Sequence, residues 1–150
     1  RMDKNEDIEL IMGDATAMFP EGGKSGLGSG FGRNENQYIW RMEEFNGKLY
    51  FCGSVNGLPK IVEVDPENND KCTIVYEGID PKDYYQAYLE GICTGIRGLT
   101  AFGDYLIVSM VTLSGPQILI SKNPSLGQSA FTVIANQQDL FDYQYQFSFV

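Results

Sequence analysis

Four residues carry side chains suited to ligand contact: Tyr38, Trp40, Arg41 and Arg97. Aromatic rings and guanidinium groups stack on sugars and supply much of the binding energy at protein interfaces. Three of the four lie close together in the sequence, whereas Arg97 follows much later, so the fold must bring it to the others. Core packing is the alternative explanation for Trp40. We treat these four residues as the candidate ligand-binding set.

Acid–base and nucleophilic chemistry finds little support in the chain. It contains no histidine, which excludes Ser–His and Cys–His nucleophilic sites within this sequence. Glu43 and Glu44 are neighbouring carboxylates, but adjacent residues of a strand point to opposite faces of a sheet. We therefore predict no catalytic residue, and we favour a protein that is not an enzyme.

The glycine-rich stretch 21–32 superficially suggests phosphate binding through Gly23, Lys24 and Ser25. A phosphate-binding loop also needs glycine five positions before Gly23, and Met18 stands there. The pattern that follows indicates a strand, so we expect no helix N-terminus to hold a phosphate. The stretch is predicted to be a flexible loop.

The sequence gives equally little support for a metal site or a reactive thiol. Acidic residues that suit calcium cluster in two loops, at Asp65, Glu67, Asp70, Asp80 and Asp83. Their spacing matches no complete calcium-loop motif, and turn formation explains the first group. The three cysteines, Cys52, Cys72 and Cys93, have no metal-ligand spacing and are interpreted as buried reduced thiols. We expect no cofactor, with calcium as the one metal that the oxygen ligands would suit.

Composition and charge limit the partners. The chain has 150 residues and is 43% hydrophobic, as expected of a folded domain. Its net charge of −9 opposes binding to nucleic acid. No apolar run is long enough to span a membrane as a helix, so we expect no membrane insertion. After Tyr105 the only charged residues are Lys122, Asp139 and Asp142. A stretch so poor in charge is typical of a buried contact.

The elements that must position these residues are strands. Apolar residues alternate with a period of two, and turn residues such as Asn46-Gly47 and Gly103-Asp104 separate the runs, a pattern typical of hairpins. Two units of four strands result, at 38–77 and 95–135. An offset of 57 residues aligns Phe45 with Phe102 and Leu49 with Leu106, so we expect all four side chains between the sheets. Asp80 to Leu89 is predicted to form a short helix.

Partial units flank this repeat. A leading strand is predicted at 8–12, and the trailing run 142–150 alternates like the first strand of a further unit. Four strands per repeat are the mark of a β-propeller. The predicted fold class is therefore all-β, a partial β-propeller with two complete four-stranded antiparallel blades plus flanking strands. The exposed apolar ends are expected to pack on remaining blades of a parent chain or on a second copy.

The segment 38–50, YIWRMEEFNGKLY, resembles the blade opening of secreted or surface-attached bacterial β-propellers, with the pattern W-x-M-x-x-F-N-G-x-L-Y. The resemblance implies an extracellular or cell-surface location and specifies architecture without activity. We expect a non-catalytic module that binds a glycan or a protein. The alternative is a fragment of a propeller hydrolase or lyase that acts on carbohydrate, with its catalytic residues outside this chain.

Overall fold

A computed structural model of the chain describes residue 2 and residues 5–32, 39–53, 58–78 and 93–136. These residues form an all-β structure with one single-turn helix, α1 (Ser29–Gly32). The strands make two four-stranded antiparallel sheets, each a simple meander. The bounds are β1 (Arg41–Phe45), β2 (Lys48–Gly53), β3 (Lys60–Asp65), β4 (Lys71–Glu77), β5 (Cys93–Phe102), β6 (Tyr105–Thr112), β7 (Gly115–Ser121) and β8 (Thr132–Ala135).

The turns of the first sheet follow from local residue preferences. Asn46 and Gly47 join β1 to β2 with φ of 50° and 72°, the two positive values that a type I′ turn requires. Between β3 and β4, Pro66–Asn68 forms a 3₁₀ turn, and the Asp65 carboxylate accepts a hydrogen bond from the Glu67 N–H at 3.1 Å. Both predicted turns are confirmed.

The second sheet repeats this order with a longer first strand. A two-residue turn at Gly103 and Asp104 joins β5 to β6, as the sequence predicts. Two short 3₁₀ turns, Pro124–Leu126 and Gln128–Ala130, connect β7 to β8. The register of β5 against β6 shifts between Ile96 and Gly98, so Arg97 is the extra residue of a β-bulge.

One apolar core lies between the two sheets. From the first sheet it takes Phe45, Tyr50, Cys52, Ile61 and Val75, and from the second Ile96, Leu99, Leu106, Val108, Met110 and Leu119. β5 packs against β1 and β2. The core therefore lies beside the inner strands, where the candidate residues also occur.

The two sheets are stacked so that equivalent strand positions face the same direction in both. Phe45 is buried between them, but its equivalent, Phe102, is 74% exposed on the outer side of the second sheet. Leu106 is buried between the sheets, while its equivalent, Leu49, packs on the opposite face of the first sheet. The expectation that all four lie between the sheets is wrong for Phe102 and Leu49, because matched positions face the same way in successive sheets.

The outer face of the first sheet is covered by the N-terminal segment. Ile11 and Met12 pack against Phe51, Val62 and Val64. The leading strand predicted at 8–12 is not formed: Ile8 makes an isolated bridge with Met2, and the segment holds no regular strand. Here packing overrides strand propensity, because the segment lies on the face of the sheet and not beside an edge strand.

The glycine-rich stretch folds back on this segment. The N–H groups of Lys24 and Ser25 donate to the carbonyls of Leu10 and Ile11 at 3.1 and 2.8 Å, and the Gly23 N–H donates to the Gly13 carbonyl at 2.9 Å. A Cβ at Gly23 would lie 2.6 Å from the Cα of Met12. The prediction of a flexible loop did not include these contacts. The close approach of the Met12 backbone makes glycine necessary at position 23.

Other sequence predictions lie outside the described residues. These are the second group of acidic residues, Asp80 and Asp83, the helix expected from Asp80 to Leu89, and the further strand at 142–150. Within the described segments, no helix has the length and apolar character needed to cross a membrane.

Candidate functional site

Trp40 and Arg97 come together across the two sheets. Trp40 precedes β1, and its N–H donates to the Cys52 carbonyl at 2.8 Å, which extends the pairing of β1 with β2. Arg97 lies on the bulge of β5, which packs against β1. The Arg97 guanidinium carbon lies 4.6 Å from the centroid of the Trp40 ring, a cation–π contact. The first sheet thus supplies the ring and the second supplies the cation.

The residue after Arg97 is Gly98, which pairs with Ser109 of β6. A Cβ at position 98 would lie 2.4 Å from the Ser109 hydroxyl oxygen, so a larger residue there would require the Ser109 side chain to move. Bulges re-aim side chains and often occur next to binding sites.

The residues next to Trp40 in the sequence are exposed, and they include two aliphatic side chains and the guanidinium of Arg41. Trp40 is 47% exposed, and its neighbours Ile39 and Met42 are 49% and 61% exposed. Exposed aliphatic side chains beside a tryptophan and an arginine match the residue types that are enriched in protein interfaces. We refer to Ile39, Trp40, Met42 and Arg97 as the Trp40 surface.

The structure describes three of the four predicted ligand-binding residues and places them in different surroundings. Trp40 and Arg97 are in contact, and the exposure of Trp40 argues against the interpretation that it is a core residue. Arg41 is exposed at the first position of β1, opposite Cys52 in the register. Tyr38 lies outside the described residues.

A polar cluster between the sheets was missed by the sequence analysis. Tyr50 and Glu63 face each other on β2 and β3, and the Tyr50 hydroxyl donates to a Glu63 carboxylate oxygen at 2.8 Å. The Lys48 ammonium lies 2.7 Å from Glu63 and 3.1 Å from Asp65. The Ser125 hydroxyl of the second sheet's loop donates to Glu63 at 2.5 Å. We call Lys48, Tyr50, Glu63, Asp65 and Ser125 the Glu63 cluster.

A sequence signal for part of this cluster existed. Lys48 and Tyr50 alternate on one strand, and Glu63 and Asp65 alternate on the next, so all four share one face of the β2–β3 hairpin. Ser125 carried no such signal, because it enters from a loop of the other sheet. The cluster joins the sheets because the Ser125 hydroxyl, from a loop of the second sheet, donates to the Glu63 carboxylate of the first, which is only 5% exposed.

Electrostatics hold each member in one protonation state. Burial raises the pKa of Tyr50 to about 12. The hydrogen bond to Glu63 raises the pKa of Lys48. Burial favours a higher pKa for Glu63, but hydrogen bonds from Lys48, Ser125 and Tyr50 outweigh it and the pKa is lowered. Groups whose pKa values lie far from 7 are poor proton-transfer catalysts at pH 7. The cluster therefore fits a structural role.

The remaining candidates for chemistry have structural explanations. The Asp65 carboxylate, one of the acidic groups that would suit calcium, lies against Lys48 and accepts a hydrogen bond from the Glu67 N–H. In the segments that the structure describes, no group of three or more His, Cys, Asp or Glu residues is placed to hold a metal ion. Cys52 and Cys72 are free thiols, and burial raises the pKa of Cys52 to about 11, which leaves it protonated and unreactive at pH 7.

Comparison with known proteins assigns this chain to no family. No protein-family model, no curated protein and no solved structure matches this chain.

Proposed function

We propose that the chain is a binding module built from propeller-type blades, and that it binds a protein ligand through the Trp40 surface. The observation that carries this proposal is the exposed stack of Arg97 on Trp40. Tryptophan and arginine are the residue types most often found at interface hot spots. Two separate sheets supply the pair, so the site depends on the folded arrangement.

The surroundings of the stack favour a protein over a glycan. A sugar ring needs an open aromatic face with polar groups at its rim. Arg97 lies over the Trp40 ring, and the adjacent exposed side chains, Ile39 and Met42, are aliphatic. Exposed aliphatic side chains together with the guanidinium groups of Arg41 and Arg97 suit a ligand segment that combines aliphatic or aromatic residues with carboxylates.

The stacking sense of the sheets supports the propeller-type architecture. In a propeller each four-stranded blade repeats its neighbour by rotation, so unlike faces of successive blades meet. The positions that match at an offset of 57 residues follow this rule, with Phe45 between the sheets and Phe102 on the outside.

The test is a selection followed by titration. Peptide display on the immobilised full chain is run beside a glycan array, with Trp40→Ala, Arg97→Ala and the control Glu44→Ala. Glu44 is exposed on the same strand but on no part of the Trp40 surface. Because Trp40 is the sole tryptophan of the chain, its fluorescence reports ligand contact directly.

We expect selected peptides to change the Trp40 fluorescence and to lose at least about tenfold in affinity, equivalent to about 1.4 kcal/mol, with Trp40→Ala or Arg97→Ala. Glu44→Ala keeps the wild-type affinity, and circular dichroism of all variants stays unchanged. Peptides that bind equally well to every variant would contradict the assigned surface. Retention on the glycan array alone, sensitive to Trp40→Ala, would replace the protein ligand by a carbohydrate.

A further inference from the structure

Glu43, a carboxylate of β1, makes a polar contact with the second sheet. Its Oε1 atom accepts a hydrogen bond from the backbone N–H of Ala101 in β5, with 2.9 Å between nitrogen and oxygen. Glu43 is half-buried, whereas its neighbour Glu44 is exposed. The contact joins β1, which Trp40 precedes, to β5, which holds Arg97. It therefore bears on how the Trp40 surface is assembled.

The Ala101 N–H needs a partner because β5 is an end strand. The second sheet has the order β5-β6-β7-β8, so one edge of β5 has no neighbouring strand in its own sheet. Alternate N–H groups of an end strand point away from the sheet. An N–H without a partner costs free energy when it is removed from water. Glu43 supplies the missing acceptor from the other sheet.

The strand period explains why Glu43, and not Glu44, reaches β5. Glu43 lies two residues before Phe45, which is buried in the core between the sheets. Alternate residues of a strand share one face, so Glu43 lies on the face that meets the second sheet and Glu44 on the opposite face. A carboxylate is also a stronger acceptor for a backbone N–H than a neutral oxygen.

Two contacts hold β1 beside β5. Trp40 meets Arg97, with 4.6 Å between the guanidinium carbon and the ring centroid. Further along both segments, Glu43 meets Ala101. The contacts occur in the same order along the two strands, so these strands lie side by side in one direction. A slide of β5 by one residue, about 3.3 Å, would break the hydrogen bond and move Arg97 from the ring.

The hydrogen bond restricts such a slide more sharply than the core does. Hydrophobic burial is non-directional, whereas a hydrogen bond requires one distance and one angle. The contact of Ser125 with Glu63 also joins the sheets, but it connects β3 to the loop after β7. The contact of Glu43 with Ala101 lies on the strands beside the Trp40 surface itself.

We propose that Glu43 is a positioning residue, whose carboxylate holds β5 in the register along β1 at which Arg97 stacks on Trp40. Its effect on ligand affinity rests on the proposed function, while the positioning is a property of the free chain. The apparent affinity of a ligand falls with the fraction of chains in which its site is assembled. Loss of one hydrogen bond lowers an equilibrium constant by about two- to tenfold.

Acrylamide quenching of Trp40 fluorescence in the full chain, without ligand, tests the positioning. Trp40 is the sole tryptophan, and Arg97→Ala gives the quenching constant of the ring without its cation. We expect Glu43→Ala to raise the quenching constant toward that of Arg97→Ala. Glu43→Gln, whose amide oxygen still accepts, and Glu44→Ala should keep the wild-type value. A wild-type quenching constant in Glu43→Ala would overturn the proposal.

Removal of the donor provides a second variant. Ala101→Pro deletes the N–H and leaves the carboxylate, and proline is tolerated on a sheet edge that faces no strand. It is expected to raise the quenching constant as Glu43→Ala does, and it decides the matter if Glu43→Ala loses the wild-type circular dichroism. In the Arg97→Ala background, Glu43→Ala should add nothing. Additive increases would show that Glu43 acts on Trp40 without Arg97, which contradicts the proposal.

Peptide affinity separates this inference from the proposed function. Peptides selected on the wild-type chain should lose about two- to tenfold in affinity with Glu43→Ala and nothing with Glu43→Gln. If no peptide is selected while the quenching constants change as expected, the proposed function fails and the positioning role is supported. Lost affinity at an unchanged quenching constant would make Glu43 a ligand contact and overturn the positioning role.

Discussion

At the scale of single residues, the Glu63 cluster shows how a carboxylate is accommodated between two sheets. Glu63 accepts hydrogen bonds from Tyr50 and Ser125 and pairs with Lys48. Each partner offsets part of the cost of removing the carboxylate from water. The cluster consequently makes the fit of the sheets specific, since Ser125 must arrive at one position on β3.

The cluster predicts a loss of stability in alkaline solution. The pKa of Tyr50 is about 12 in the folded chain against an ordinary value of 10.0, so the folded state holds the phenolic proton more tightly than the unfolded state. The stabilisation is complete below pH 10 and is lost as the pH rises toward 12, by on the order of 2 kcal/mol.

Urea unfolding at a series of pH values checks this expectation. Tyr50→Phe removes the titrating group, and its stability should fall less steeply than that of the wild type between pH 10 and 12. Identical pH dependence in the two proteins would show that the Tyr50 proton is not stabilised by folding.

At the scale of elements, the β1–β2 hairpin depends on the conformation of its turn. Gly47 has a φ of 72°, and a Cβ built there meets no atom within 4 Å. Any cost of a side chain at this position is therefore backbone strain and not a steric clash.

Gly47→Ala should destabilise the chain by about 1 kcal/mol, because alanine tolerates this left-handed region poorly. Gly95→Ala is the matched control: its Cβ also meets nothing within 4 Å, and its φ lies outside the left-handed region. The free energies of unfolding from urea titration should show a loss for Gly47→Ala alone. A similar loss in both variants would mean that general glycine replacement, and not the turn, is responsible.

At the scale of the whole molecule, the stability depends on burial between the sheets. Leu106 has no exposed surface and lies in the core shared by both sheets. Removal of its side chain loses hydrophobic burial and leaves a cavity at the interface.

Leu106→Ala should lower the free energy of unfolding by about 2–5 kcal/mol. Leu126→Ala provides the control with the same chemical change, because Leu126 is 72% exposed, and its effect should lie within about 0.5 kcal/mol of zero. Denaturant titration measures both. Unchanged stability of Leu106→Ala would contradict the stacked arrangement of the two sheets.

The sequence by itself determined the local structure. Alternating residues predicted strands, and turn pairs such as Asn46-Gly47 predicted hairpins, because strand and turn preferences depend on residues close in the chain. The number of strands in each unit and the meander order followed. The leading strand at 8–12 was wrong because packing on a sheet face replaced edge pairing there.

Only the tertiary structure decided which faces meet. The repeat aligned Phe45 with Phe102, yet one is buried and the other exposed. Sequence periodicity states that two residues share a side of a strand, but it does not state what lies against that side. For the same reason the residue types grouped Arg97 with Trp40 without specifying their contact, and the contact of Ser125 with Glu63 had no sequence signal. Each contact joins residues from different sheets, and the stacking of those sheets sets their distance.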